Sequence, residues 1–406
     1  MSSNARIFYA CQAVAITEYG DSTVASGDMI HGLQSVGMTT NFNLEQAFEL
    51  GQVEIYENIE GTPDVEVTLE KVLDGYPLMY HMASSGIRSG TASGLVGRSR
   101  QRCDLRLGIF DEGQNSVDKA TDNDGKAEVE VYCSGLYISN ISYTIPVDGN
   151  ATESMTLVGN NKQWLTGTNV KILNGSLTDF DGNDQPLSLV KGSATAGASG
   201  GVSRREDVML SGSILPKSIR GINGSGYGNA IDTSKSPVDD GFNRVHLQSF
   251  SVSTDFSRED IFELGRKTPY SRPANFPIEV SCEIEAVTSS GDFVSAYELG
   301  DTALDATADS GNNTSNEIIY LYLRQGVAFD LGNKNRLASV SYGGGDAGGG
   351  NVSCTYSYTN FNDLDVQRWA ANAYIGFGAL KNGITSGKSN DVGQGVFPSN
   401  LIDGLS

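Results

Sequence analysis

The sequence predicts a mostly β protein made of two divergent, tandem copies of one domain, each a β-sandwich or open barrel carrying a short helix. Three observations predict it: a turn-rich composition, apolar residues that alternate with period two, and a long internal repeat.

Composition comes first. The chain has 406 residues, with 49 glycines against 10 prolines and 17 Tyr and 15 Phe against 2 Trp. That length accommodates two domains, each able to bury its own core. Glycine, Asn and Asp reach the positive φ that tight hairpins need, and aromatic residues suit half-buried pleated surfaces. Charged residues make up 19% and hydrophobic ones 38%, which fits neither a disordered acidic chain nor a membrane-embedded one. No stretch approaches a membrane span in length. The apolar run Ile7 to Ile16 is broken by Gln12 and lacks a basic lead, so it is expected to form a first strand rather than a signal peptide.

The net charge is −21, from 49 acids against 28 bases. A surface this acidic repels nucleic-acid phosphates and argues against specific DNA binding. It suits a generically soluble protein, or a surface past which DNA moves without sticking.

The repeat is the most informative feature. LQSVGMTTNFNLEQAFELG (Leu33 to Gly51) aligns without gaps on LQSFSVSTDFSREDIFELG (Leu247 to Gly265), with ten of nineteen positions identical at an offset of 214. The register continues through Tyr56/Tyr270 and Pro63/Pro277. After a one-residue slip, VEVTLE (Val65 to Glu70) is matched to IEVSCE (Ile278 to Glu283). The chain is a duplication, with copies expected over 1–165 and 244–406 and a Gly/Ser/Asn-rich connector or insertion over 166–243.

Within each copy, QSVGMTTNF and QSFSVSTDF alternate as a strand with one buried face does. NLEQAFELG and SREDIFELG then read as a helical turn or two, opening on Asn43 or Ser257 and closing on Gly51 or Gly265 as a left-handed cap. A strand follows, VEVTLEKV or IEVSCEIEAV. Further on, CDLRLGIF (Cys103 to Phe110) and the long AEVEVYCSGLYISNISYTIPV (Ala127 to Val147) flank the turn DNDG (Asp122 to Gly125). EIIYLYLRQG (Glu317 to Gly326) and NVSCTYSYTNF (Asn351 to Phe361) are assigned those two places in the second copy. GGGDAGGG (Gly343 to Gly350) lacks the Lys-Ser/Thr and helix of a phosphate-binding loop and is expected to be a hairpin tip. KGSATAGASGG (Lys191 to Gly201) reads as flexible linker, while Arg205 to Ile219 is expected to pack back on the first copy.

No reactive constellation stands out. Cys11, Cys103, Cys133, Cys282 and Cys354 are odd in number and widely spread, and His31, His81 and His246 are isolated. Reduced core thiols are the expectation, with no zinc spacing and no histidine base. DFDGND (Asp179 to Asp184) lacks the closing Glu of a calcium loop, and an Asx turn is expected there. No hydrolase, metalloprotease or nucleotide-binding motif occurs, so no catalytic residue, metal or cofactor is assigned. The N-x-S/T sequons at Asn140, Asn150 and Asn174 are no more than this composition produces by chance.

At the residues LQSFSVSTDFSREDIFELGRKTPYSRPANFPIEVSCEIEAV, and again at SNISYTIPVDGNATESMTLVGNNKQW (Ser139 to Trp164), the chain resembles the tail tube proteins of tailed bacteriophages. The resemblance touches both copies and about half the chain. Copy two departs from it where YTNFNDLDV is taken to replace the VDGNATE stretch and where GGGDAGGG is extra.

The resemblance implies a virion structural protein, made in the host bacterial cytoplasm, whose inner sheets join side by side around a lumen. Its rings stack into the tail tube that conducts DNA to the host. Single-domain relatives form six-membered rings, so a duplicated chain is expected to close a trimeric ring of pseudo-hexameric appearance. Implied partners are other copies of the chain, a tape-measure protein and passing DNA in the lumen, and possible sheath, tail-terminator and baseplate proteins; no membrane is involved. Phe42, Phe48 and Leu50, with Phe256, Phe262 and Leu264, are expected to pack the core or to make ring contacts, core packing being the favoured of the two. Glu49 and Glu263, each followed two residues on by Gly51 or Gly265, are candidates for inter-subunit ion pairs or solvated acids. Alternatives are a tail-surface or capsid-decorating β-module, an injection-tube protein of a secretion-type machine, and a polysaccharide-degrading enzyme. The absence of a long β-helix repeat disfavours the last.

Overall fold

The computed structural model describes residues 6–7, 9–24, 28–51, 53–74, 77–84, 94–110, 127–172, 202–208, 246–287, 316–323, 327–344, 350–370 and 373–374, with single positions between 213 and 219 and at 294. The turn DNDG, the DFDGND segment, the linker KGSATAGASGG, Asn174, the centre of the GGGDAGGG loop and the tail after Tyr374 lie outside the described residues.

The chain is mostly β, as its composition predicts. Copy one runs β1 (Gln12–Glu18), β2 (Leu33–Asn41), β3 (Leu44–Phe48), β4 (Ile55–Glu60), β5 (Asp64–Val72), α1 (Met79–Ala83), α2 (Leu95–Arg98), β6 (Cys103–Ile109), β7 (Val129–Pro146), β8 (Thr152–Gly159) and β9 (Asn161–Thr166). Copy two runs β10 (His246–Asp255), β11 (Glu279–Val287), β12 (Tyr320–Tyr322), β13 (Val327–Asp330), β14 (Arg336–Gly343), β15 (Ser353–Phe361), β16 (Asp365–Ala370) and β17 (Ala373–Tyr374).

Strand pairing repeats the duplication. In copy one the order β2-β5-β8-β7 forms one antiparallel layer, and in copy two β10-β11-β15-β14 forms its counterpart. The ladder pairing Val36 with Leu69 recurs as Phe250 with Ile284. A bulge skips Gln34 in one copy and Gln248 in the other, and each of those amides donates to the carbonyl two residues back, Gly32 or His246. The next ladder keeps step as well, Leu69 opposite Met155 becoming Ile284 opposite Tyr356. A second bulge falls between Ile138 and Asn140 and again between Leu337 and Ser339. A shared bulge at a shared position is a strong mark of common descent, because bulges locally disrupt pairing and redirect a strand.

These ladders correct three sequence expectations. The slip after the first repeat runs the other way, so Val65 and Val67 correspond to Val280 and Cys282 rather than to Ile278 and Val280. NVSCTYSYTNF is the counterpart of β8, not of β7, whose place is taken by β13 and β14 together. YTNFNDLDV therefore aligns with the β8–β9 turn, and GGGDAGGG occupies the VDGN position as the link between β14 and β15. Alternation fixes which face a strand shows but not which partner it takes, so period alone did not separate the two strands.

The third correction concerns the helix. NLEQAFELG and SREDIFELG are not helical but the first arms of hairpins. Leu44 pairs with Glu60 and Ala47 with Glu57, and in copy two the same steps appear as bridges Arg258–Ala274 and Ile261–Ser271. Asn43 and Ser257 open these hairpins with φ of 47° and 42°, each donating its backbone N–H to the side-chain oxygen of Asn41 or Asp255 in an Asx turn. Gly51 and Gly265 do adopt positive φ, 95° and 88°, but at hairpin tips. A left-handed glycine serves a tight turn as readily as a helix cap, which made the signal ambiguous. The short helices sit instead between β5 and β6; the equivalent stretch of copy two falls mostly outside the described residues.

β7 is long enough to belong to both layers of copy one. Its first half pairs with β6 and β9, and β1 completes that second layer on β6. β12, β13 and β16 repeat this layer in copy two. One apolar core runs between the layers through both copies, including Val67, Leu157, Ile141, Phe250, Val280 and Tyr356. All five cysteines are buried, and Cys103, Cys133, Cys282 and Cys354 belong to this core. Burial holds the Cys133 thiol up at about 11, as expected of reduced core thiols. The segment 202–208 returns to copy one, with Ser203 bonded to Leu73 and Ala151, and then reaches copy two through the Val208–Leu323 bridge.

Copy one also buries a polar cluster centred on a carboxylate of β8. Glu153, fully buried on β8, accepts the N–H groups of Met79 (2.8 Å) and Tyr80 (3.0 Å) and the Tyr143 hydroxyl (2.9 Å). Its counterpart is Cys354. Desolvation raises the Glu153 carboxyl above its ordinary value despite those donors. An acid raised in the folded state contributes fully below its unfolded pKa of about 4.3 and loses that contribution as pH rises towards the folded value. Glu153→Gln leaves its amide facing the Met79 N–H, so it should cost about 1–3 kcal/mol near pH 4. The deficit should shrink as pH rises to neutrality; melting temperatures of both proteins between pH 4 and 8 check this.

Candidate assembly surface

The feature that distinguishes this molecule is how its two copies meet. β10 of copy two pairs antiparallel with β7 of copy one, from Ser249 opposite Pro146 to Asp255 opposite Asn140. The two four-stranded layers thereby fuse into one eight-stranded run, β14-β15-β11-β10-β7-β8-β5-β2. The joint is head to tail: the β2-type edge of one copy meets the β7-type edge of the other.

The ladder is locked by the hairpin that follows β10. Phe256 is buried and its N–H donates to Ser139. The Arg258 guanidinium donates to the carbonyls of Ile138 (2.6 Å), Ser99 (2.7 Å) and Arg272 (2.8 Å) and lies over the Tyr137 ring at 4.8 Å. Burial lowers its pKa to about 10. Arg272, also buried, bridges Asp64 of copy one (2.9 Å) and Asp260 of its own hairpin. Desolvated arginines with several oriented acceptors are the strong kind of polar contact.

A head-to-tail joint leaves one edge of each type free. β2 and β14 end the run, and among the described residues neither has an outer partner. Both are long, at nine and eight residues, and neither contains proline or lysine; Arg336, at the start of β14, is their one charge. Edge strands of monomeric proteins are usually short, bulged or charged to prevent pairing. These edges carry no such protection beyond Arg336 and the inner-side bulges.

The face of the run that no other described strand or helix covers is polar. Its strands alternate buried positions with half-buried or exposed ones, and the latter are largely hydroxyls: Thr152, Ser154 and Thr156 on β8, Ser249, Ser251 and Ser253 on β10, Ser353, Thr355, Ser357 and Thr359 on β15. Acids concentrate on the two equivalent strands, Glu66 and Glu70 on β5 and Glu279, Glu283 and Glu285 on β11. Among the described residues of these eight strands, the one Lys or Arg on this face is Arg336, at its margin. A period-two pattern in the sequence carried this face, but the side to which the acids belong became visible only with the pairing.

The candidate residues from the repeat divide sharply. Phe256 is in the core. Phe42 (63%), Phe48 (68%), Leu50 (103%), Phe262 (58%) and Leu264 (103%) are exposed, which corrects the core-packing expectation for these five. They project on the two hairpins, where Val53, Ile55, Tyr56 and Tyr270 are exposed as well. Contiguous apolar exposure of this kind marks an interaction surface. Glu49 is exposed near its hairpin tip, and Glu263 makes a half-exposed pair with Arg266 at 3.2 Å, worth little by itself. The residues that lock the joint, Arg258, Arg272, Asp64 and Tyr137, were not singled out in the sequence. In the repeat alignment Arg258 faces Leu44 and Arg272 faces Asn58, departures that set the two copies apart at these positions.

No cluster of three or more His, Cys, Asp or Glu side chains suited to a metal occurs among the described residues. No helix among them is long and apolar enough to cross a membrane.

In class, then, this is a duplicated antiparallel β protein with one internal joint and two open, complementary edges. No family model matches the chain. No curated protein matches it either. Among solved structures it is similar to the tube-terminating cap of the anti-feeding prophage, at 13% identity and TM-score 0.28 over 41% of this chain and 95% of that one. It is similar to a chain of the extended sheath-tube complex of an extracellular contractile injection system, at 12% identity and TM-score 0.28 over 41% and 95%. The Hcp protein matches at 12% identity and TM-score 0.20 over 38% and 98%. Similarity at these scores bears no weight in the functional reading, which stands on the edges and faces described above.

Proposed function

We propose that this chain is a structural subunit that polymerises as stacked rings into a tail tube, the conduit through which a phage ejects DNA. The observation that carries the reading is the internal joint. The β2-type and β7-type edges already pair once within the chain, and the same two edge types are left open at its ends. Repeating that joint between chains leaves the eight-stranded run with no free edge, and a heterologous contact of this kind closes into a ring when its rotation permits. Three chains of eight strands each give 24 in the inner wall. For strand spacing near 4.8 Å and a tilt of about 40°, such a barrel has a bore of roughly 30–40 Å, wide enough for a nucleic-acid duplex.

The acidic, hydroxyl-lined face then lies inward, where it repels phosphates and offers no cations for them to grip. The projecting hairpins lie at the rim, placed to touch the next ring, a sheath or a terminator. A tape-measure protein would occupy the bore during assembly.

Electron microscopy of the purified full-length chain, with light scattering alongside, tests the reading. Annular trimers or stacked tubes with a channel support it; a monodisperse monomer or a solid trimer sinks it in favour of a tail-surface module. Leu50→Ser with Leu264→Ser probes the hairpin tips. Both leucines are fully exposed, so stability should change by no more than about 0.5 kcal/mol while tubes shorten to single rings.

A further inference from the structure

The ring reading says that β2 and β14 meet; the duplication says how, and it gives the outer joint a chemistry different from the inner one. At the inner joint three side chains form a cluster: the Arg258 guanidinium lies 4.8 Å from the Tyr137 ring and 5.5 Å from the Phe256 ring. The shared bulges and ladders assign each a counterpart at the open edges. Phe256 corresponds to Phe42, Arg258 to Leu44 and Tyr137 to Arg336. The cation has crossed the joint. On the inner side it comes from the hairpin of the incoming strand, and on the outer side from the receiving strand.

The exposure of the two phenylalanines fits this. Phe256 is fully buried where copy one covers it, whereas Phe42 is 63% exposed at an edge with nothing yet on it. A guanidinium over an aromatic face is a favourable contact whichever strand supplies it. Two guanidiniums facing each other are not. An incoming copy-two edge, carrying Arg258, would meet Arg336 on β14, whereas the copy-one edge presents Leu44 and Phe42 there.

Resting on the ring reading, we propose that β2 of one chain docks on β14 of a second copy with Gly37 opposite Gly343, Met38 opposite Tyr342, Thr39 opposite Ser341, Thr40 opposite Val340 and Asn41 opposite Ser339, and with Arg336 over Phe42. The register transfers the inner ladder, in which Ser251 faces Thr144, Val252 faces Tyr143 and Ser253 faces Ser142. The reversed cation–aromatic pair makes copy one the partner that β14 accepts, so the two copies alternate around the ring.

Mixed single-cysteine chains test the register, because the native cysteines are buried and do not compete. Full-length Thr39→Cys and Ser341→Cys chains, mixed, assembled and oxidised, should give a covalent dimer on a non-reducing gel. The yield should exceed at least about ten-fold that of Thr39→Cys mixed with Ser339→Cys, two residues out of step on the same face. Rings by microscopy with the Ser339 pair cross-linking better would overturn the register and leave the ring reading standing. No rings and no cross-link in any mixture would overturn both. Arg336→Glu should raise the concentration needed for ring formation about ten-fold or more with an unchanged melting temperature, and Arg336→Lys should recover part of it. Equal assembly by Arg336→Glu and the parent chain would overturn the cation–aromatic key.

Discussion

Replacing Glu66, Glu70, Glu283 and Glu285 together by lysine is expected to turn a surface that sheds duplex DNA into one that holds it. All four side chains lie on the uncovered face of the eight-stranded run, and each substitution moves the local charge by two units. The strands should persist, since the changed positions do not contribute to the core and none of the four is in an ion pair that holds the fold. For the parent assembly, retention of DNA should be undetectable at 50 mM salt. The variant should bind with an affinity that drops about 10³-fold or more between 50 and 200 mM salt, the behaviour of a site neutralising several phosphates. Electrophoretic retention across a salt series reads both quantities. DNA binding by the variant that ignores salt, or by the parent protein itself, would show that this face does not line a DNA path.

Arg258→Ala should produce the second large effect, this time on the chain alone. Its guanidinium satisfies three carbonyls at the seam between the copies, and truncation leaves them facing one another with the Tyr137 ring uncovered. The expected loss is about 2–4 kcal/mol of stability, read as a lower urea midpoint. Amide exchange should accelerate along β7 and β10 before it does along β5 and β8, because the seam opens first. Arg258→Lys should recover little, since one ammonium cannot span three acceptors held in the planes that a guanidinium matches. Faster exchange spread evenly through the chain would place the damage elsewhere than the seam.

Much of the fold was legible before any coordinates. The repeat at Leu33 and Leu247, the alternation in QSVGMTTNF and SNISYTIPV, and the positive φ at Gly51 and Gly265 all carried through to the structure, because each is a local property of the chain. Period two states that one face is buried; a glycine in a turn states that the backbone bends. The errors came where a local signal serves two structures. FELG closes a hairpin here although the same letters close helices elsewhere, and Leu44 pairs with a residue sixteen positions beyond it, Glu60. NVSCTYSYTNF went to the wrong partner because any alternating strand fits any alternating neighbour until register is fixed.

What the sequence by itself determined is the duplication, the β class, the alternation that gives each strand a polar side, and an acidic balance. What only the tertiary structure decided is adjacency: that copy two continues the sheet of copy one rather than packing on its face, that the acids of β5 and β11 share one surface, and that Phe256 is covered while Phe42 is not. Those facts depend on backbone hydrogen bonds between residues some hundred positions apart, such as Phe250 beside Ile145. Every residue but proline offers the same N–H and C=O to such bonds, so side-chain identity constrains them only weakly. The edges left over by that pairing, β2 and β14, are therefore written nowhere in the linear chain, although they are the surfaces on which its assembly depends.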